Sequence, residues 1–177
     1  MRGTRVARRY ARALLELAER SQAEQWGEEL TKLAATVESP ELRDRLVSPE
    51  LSLQAREQAM AKTAERLELS FPLRSLAVVV ARHGRISEMA AISDAYGELV
   101  DERLGRARAS LTFAVAPSQA EIERVVAGLA SISRKQIIAT VNVDASLIGG
   151  VVAELEGKIY DGSLAQRIVQ AQRRLAG

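Results

Sequence analysis

The chain has 177 residues, 47% apolar, 27% charged and only 3% aromatic, with a formal net charge of +2. It has no cysteine and one histidine, His83, which excludes disulfides, thiol chemistry, Cys-built zinc sites and His-pair metal sites. A chain of this length can bury a sizeable core, and one so poor in aromatics must build it from Ala, Leu, Val and Ile, which favours close-packed helices.

The first half reads as helix after helix. Val6, Tyr10, Ala13, Leu14 and Leu17 recur at the spacing of one helical face, with Arg5, Arg8, Arg9 and Arg12 rotated well away from it. Trp26, Leu30, Leu33 and Val37 form a second stripe. Ser39-Pro40-Glu41 reads as N-cap, N1 proline and acidic first turn, and Ser48-Pro49-Glu50 repeats it. These predict a short third helix and the approach to a fourth, carrying Leu53, Met60, Ala64 and Leu67. A fifth helix is expected from Phe71-Pro72 through Leu76, Val79 and Val80. Gly84 ends it, with Arg82 and His83 in the last turn where cations suit the helix dipole. The sixth and longest carries Ile86, Met89, Ile92, Tyr96, Leu99, Val100 and Leu104, and Gly105 closes it.

The period changes at residue 106. Ala109, Leu111, Phe113 and Val115 alternate with polar or small residues, as in a strand that Pro117 stops. Ser118 and Glu121 form a capping box for a helix burying Ile122, Val125, Val126 and Leu129. Ile137 to Val143 is a second β-rich run, and Val151–Leu155 and Lys158–Tyr160 read as strands joined around Gly157. Glu156-Gly157 is a weaker hairpin signal than Asn-Gly, because Glu carries a steric penalty at positive φ. Ser163 and Gln166 form another capping box, opening a helix with Leu164, Ile168, Ala171 and Leu175 inward. The expected fold is α+β overall: a six-helix bundle over 1–105, then a small α/β domain over 106–177.

Catalytic motifs are absent. Gly157-Lys158 fails as a phosphate loop, because Val152 stands where the first glycine belongs and Ile159 where a Ser or Thr would bind magnesium. Glu28-Glu29 and Asp101-Glu102 are adjacent in helices, so each pair diverges by roughly 100° and shares no site. His83, between Arg82 and Gly84-Arg85 at a helix end, reads as a solvated side chain. No cofactor or metal is expected.

The longest apolar run, Leu76 to Ala81, is far short of a membrane span. No leader-like apolar segment follows the Arg-rich start, so a cytoplasmic, unprocessed protein is expected. Of the 25 basic residues only Lys32, Lys62, Lys135 and Lys158 are lysines. The Arg5, Arg8, Arg9, Arg12 face has two readings: a basic groove for nucleic acid, or a solvated face with pairs such as Arg12–Glu16 and Glu16–Arg20. The second is preferred, since only Tyr10 is interleaved as a stacking platform. Toward the end, Asp144-Ala145-Ser146-Leu147-Ile148-Gly149-Gly150 sets two glycines before a strand, and Asp161-Gly162-Ser163 is a tight strand-to-helix turn. Both read as folding punctuation.

Two stretches carry a resemblance. Val6-Ala7-Arg8-Arg9-Tyr10-Ala11-Arg12-Ala13-Leu14 resembles the amino-terminal helix of ATP synthase delta subunits, the oligomycin-sensitivity-conferring protein family. Val143 to Val152, followed by Lys158-Ile159-Tyr160-Asp161-Gly162-Ser163, resembles that family's carboxy-terminal signature, and Arg82-His83-Gly84-Arg85-Ile86 its corner between the fifth and sixth helices. The family commonly has Gly-Asp before the lysine, where Glu156-Gly157 stands here.

The resemblance implies a non-catalytic stator connector of F-type ATP synthase, peripheral at the cytoplasmic face of the bacterial plasma membrane. Its helical part would take the amino-terminal helix of an alpha subunit between the first and fifth helices, through Tyr10, Ala13, Leu14, Leu76, Val79 and Val80. Its carboxy-terminal part would take the b subunits. Asp144, Leu147, Ile148, Gly149, Gly150, Asp161, Gly162 and Ser163 would be structural. Neither nucleic acid nor membrane insertion is implied. The rival class is a small basic RNA- or DNA-associated helical protein, which steep salt dependence would reveal; an enzyme with an unrecognised site ranks last.

Overall fold

The computed structural model describes residues 5–48 and 51–162. Six helices come first: α1 (Arg5–Leu17), α2 (Ala23–Glu38), α3 (Pro40–Val47), α4 (Leu53–Arg66), α5 (Phe71–Arg82) and α6 (Met89–Arg103). Then follow β1 (Arg106–Phe113), α7 (Gln119–Ser133), β2 (Gln136–Val143), β3 (Val151–Leu155) and β4 (Lys158–Asp161). The protein is therefore α+β, with seven α-helices and a four-stranded mixed sheet among the described residues. The chain divides into two compact units, residues 1–100 and 101–177.

Small side chains build much of the interior of the first unit. Ala7 and Ala11 of α1, Ala64 of α4 and Ala77 of α5 are fully buried, beside Leu30, Leu33, Met60, Leu73, Val80, Met89 and Ile92. Alanine lets helix axes approach closely, and α5 uses this to pack on α1, α2 and α4. Tyr96 of α6 is the largest fully buried side chain, and its hydroxyl donates to the Ala23 carbonyl at 3.2 Å. The phenol is thereby buried with its polar tip satisfied.

The sequence expectations need three corrections here. On α1 the buried face is Ala7, Ala11 and Leu14, while Ala13 and Leu17 are exposed and Val6 and Tyr10 half-buried. The larger side chains suggested the wrong face, because alanines bring the helix closer. The start of α4 is set by Ser52, whose hydroxyl accepts from Ala55 N at 3.2 Å; Ser48 instead ends α3, and Pro49-Glu50 lies outside the described residues. Ile86–Glu88 is a separate 3-10 turn before α6, which leaves α2, with 16 residues, as the longest of the described helices. That break follows from the end of α5. Gly84 N reaches Ala81 O at 2.9 Å and Arg85 N reaches Val80 O at 3.0 Å, a Schellman closure after which a new helix must be nucleated.

In the second unit the sheet order is β2-β1-β3-β4, with β1 parallel to β2 and antiparallel to β3, and β3 antiparallel to β4. The parallel pair is joined through α7, a β-α-β crossover. Alternate residues Ala107, Ala109, Leu111 and Phe113 of β1 face one core with Leu129, Ala153 and Leu155, and Ile122, Val125 and Val126 of α7 pack on it. The capping box opens α7 as expected: Glu121 N bonds Ser118 Oγ at 3.4 Å and Ser118 N donates to Glu121 Oε2 at 2.8 Å. The helix expected after Ser163 lies outside the described residues.

Candidate functional site

The displaced face of α1 is the main structural finding on the helical unit. Val6, Tyr10, Ala13 and Leu17 sit at i, i+4, i+7 and i+11, forming a half-open apolar flank, with Leu17 69% exposed. α5 has a flank at the same spacing: Pro72, Leu76, Val79 and His83, with Leu76 9% and Val79 36% exposed. α1 and α5 are packed on one another. Of the six residues expected at a partner site, Tyr10, Ala13, Leu76 and Val79 fall on these flanks, and Leu14 and Val80 are core at 3% and 0% exposure. Val6, Leu17, Pro72 and the polar His83 complete the flanks and are outside the expected set, although Val6 and Leu17 share a sequence stripe with Tyr10 and Ala13.

α5 is held at both ends. At its start, Ser70 makes no cap of its own. Glu29 of α2 supplies it, accepting from Ser70 N at 2.6 Å and Ser70 Oγ at 2.9 Å. A carboxylate there satisfies an orphan donor and suits the positive end of the helix dipole. At its end, His83 Nδ1 lies 2.8 Å from Val79 O, a contact in which the ring nitrogen donates. Arg82 reaches across to Glu57 of α4 at 2.9 Å, and its hydrogen bond holds the Glu57 carboxyl below the usual range. Neither cross-helix partner was readable from sequence, because Glu29 and Ser70 are 41 residues apart and Glu57 and Arg82 25.

In the second unit the signature residues form turns. Asp144 Oδ1 accepts from Ser146 N at 2.9 Å, and the hydrogen bonds from Ser146 lower the Asp144 carboxyl. Asp144 N donates to Phe113 O at 2.8 Å, anchoring the turn to the end of β1. Gly149 and Gly150 follow at φ 89 and 83, the left-handed conformation their lack of a side chain permits. Leu147 is half-buried and Ile148 70% exposed. Asp161 ends β4, and Gly162 N donates to Val151 O at 2.9 Å; a Cβ there would lie 3.2 Å from that oxygen. Ser163 lies outside the described residues. A cavity of about 390 Å³ opens beside this turn, lined by Phe113, Val115, Arg124, Val125 and Val151 among others.

Among the described residues no group of three His, Cys, Asp or Glu side chains could hold a metal ion. No described helix is long and apolar enough to cross a membrane. Titratable groups whose ionisation is shifted serve caps and ion pairs: Glu121 is lowered by the Ser118 backbone and hydroxyl, and Lys135 raised by Glu156. The fold is thus α+β in two units, and the helical unit leaves Leu17 and Val79 among its exposed apolar side chains.

The comparisons give the family. The ATP synthase delta (OSCP) subunit profile matches residues 6–175. A similar relative is ATP synthase subunit delta of Anaeromyxobacter sp. (strain Fw109-5), 36% identical over 172 residues and covering 96% of each chain. The same subunit of Citrifermentans bemidjiense is 32% identical over 169 residues, 94% of each. A chain of the Toxoplasma gondii mitochondrial ATP synthase hexamer, solved by cryo-EM, shares the fold with a TM-score of 0.70 at 19% identity, covering 98% of this chain and 99% of that one. The chain belongs to the ATP synthase delta (OSCP) subunit family. Its role is that of a connecting subunit in the stator of ATP synthase.

Proposed function

We propose that this connector is non-catalytic and works with its two ends bound to different partners. Residues 1–105 act as a six-helix bundle that grips the catalytic head, and residues 106–177 as a small domain that grips the b subunits of the peripheral stalk. The head partner is the amino-terminal amphipathic helix of an alpha subunit, seated along the flanks of α1 and α5. Of the six expected residues, Tyr10, Ala13 and Val79 provide the contact surface, with Leu14, Leu76 and Val80 packed beneath them as core. The chain then sits peripherally at the cytoplasmic face of the bacterial plasma membrane, resisting rotor torque so that proton flow drives synthesis.

The observation that supports this is partly open apolar surface on two packed helices: Val6, Tyr10, Ala13 and Leu17 on α1, and Pro72 and Val79 beside the buried Leu76 on α5. An added helix would cover both, the helix-in-groove mode of recognition. Titration calorimetry of the full chain with the alpha amino-terminal peptide tests it. Val79 is 36% exposed, so Val79→Asp should leave the free protein folded while placing an unpaired carboxylate in the complex. Affinity should fall by more than tenfold with an unchanged circular dichroism spectrum. Unchanged affinity would mean that the groove is wrongly placed.

A further inference from the structure

The apolar stripe of α1 has a charged companion. Each of Val6, Tyr10, Ala13 and Leu17 follows directly on Arg5, Arg9, Arg12 or Glu16, so the two rows run parallel, about 100° apart around the helix. All four charged residues are exposed. Arg8 stands apart from the row, tied to Glu98 of α6 at 3.2 Å. The corresponding outer row of α5 is Phe71, Ser75, Val78 and Arg82, which contains no carboxylate, and Arg82 is engaged by Glu57. One border of the open surface is thus basic for three successive positions and turns acidic only at Glu16.

We infer that the segment docked here is an amphipathic helix carrying carboxylates along the edge that faces α1, opposite Arg5, Arg9 and Arg12, and none opposite Glu16. This rests on the groove reading above and adds the charge pattern of its ligand. An electroneutral helix would draw water away from three guanidinium groups and return nothing. Carboxylates at helical spacing return bidentate hydrogen bonds, for which the planar, weakly hydrated guanidinium is suited. The row therefore fixes which edge of the incoming helix meets α1, and in which direction it runs. Single-stranded nucleic acid fits less well, because Tyr10, the aromatic among these residues, is half-buried in the flank.

The test uses the full chain and two probes: the alpha amino-terminal peptide, and the same peptide with every Asp and Glu changed to its amide. With the native peptide, raising sodium chloride from 50 to 500 mM should weaken binding several-fold. The Arg5→Gln/Arg9→Gln double variant should weaken it by about tenfold, roughly threefold per arginine. Arg8→Gln should leave affinity unchanged, and the amide peptide should be indifferent to salt and to the double variant. Circular dichroism establishes that each variant is folded. If native peptide affinity ignores salt and the double variant while Val79→Asp abolishes it, the groove stands and the charge inference falls. If the native peptide does not bind the wild-type chain, both fall. Arg5- and Arg9-dependent capture of an oligonucleotide or of phosphatidylglycerol vesicles, undisplaced by peptide, would also overturn the inference.

Discussion

Lys135, at the entry to β2, makes an ion pair with Glu156, which occupies the left-handed region at φ 51 in the turn between β3 and β4. Glu156 and Gly157, at φ 78, together make the primed two-residue turn that matches the twist of a hairpin. Glutamate is a poor residue for that position, and the ammonium of Lys135 compensates by fixing its side chain. Glu156→Asn should relieve the backbone strain while removing an exposed pair of small value. The expected net is about 1 kcal/mol of added stability, read as a higher Tm.

That pair also predicts an alkaline signature. Glu156 raises the Lys135 pKa, so the pair's contribution is full below the lysine's unfolded value and is lost as pH rises through the folded one. Melting curves at pH 8 and pH 11 should converge between wild type and Lys135→Gln at the higher pH. Parallel curves would show that the pair contributes nothing.

The acid limb belongs to carboxylates. The Ser118 backbone lowers Glu121 first, then its hydroxyl; Arg82 lowers Glu57 and Ser146 lowers Asp144. Each contribution is present above the ordinary carboxylate pKa and disappears as pH falls through the lowered one. Urea midpoints should therefore drop below pH 4.5, and Glu121→Gln should drop less. Ser118→Ala, which removes the cap itself, should cost about 1 kcal/mol at pH 7.

Glu29 sets a sharper test of how α5 is positioned. Glu29→Ala leaves the Ser70 N–H of the α5 start without its acceptor and should cost about 1–2 kcal/mol. Glu29→Gln keeps an acceptor oxygen and should restore most of it. If α5 carries half the partner surface, alanine should also weaken alpha-peptide binding more than glutamine does. Equal binding by both variants would separate the cap from the surface.

How far the sequence could be read depended on the range of each interaction. The boundary of α5 at Gly84 and the capping box of Ser118 and Glu121 are local, and the structure has them where spacing placed them; the alternation of β1 holds from Ala109 to Phe113, but the strand ends there and Val115, expected within it, is 74% exposed. The buried face of α1 was not legible, since bulk favours Tyr10 and Leu17 while the packing selects Ala7 and Ala11. Apolar area alone does not mark core: Leu17 is 69% exposed, whereas the smaller Ala7 and Ala11 are fully buried. Long-range caps such as Glu29 on Ser70 leave no periodic trace at all.

The two ends of the chain should separate by function. Each unit has its own buried core, Leu30, Leu73 and Ile92 in one and Leu111, Leu129 and Leu155 in the other. Residues 1–105 alone should give a strongly helical spectrum and a cooperative melt. Deleting 106–177 should abolish binding to the b subunits and leave alpha-peptide affinity within a few-fold, because units with separate cores keep their surfaces when parted. In reconstituted membranes the truncated subunit should leave ATP hydrolysis by the soluble head untouched while proton-driven synthesis collapses, since a head no longer held turns with its rotor. Measuring both activities on the same preparation decides the matter. Loss of hydrolysis by the detached head would assign this chain a part in catalysis itself, and a purely mechanical connector could not explain it.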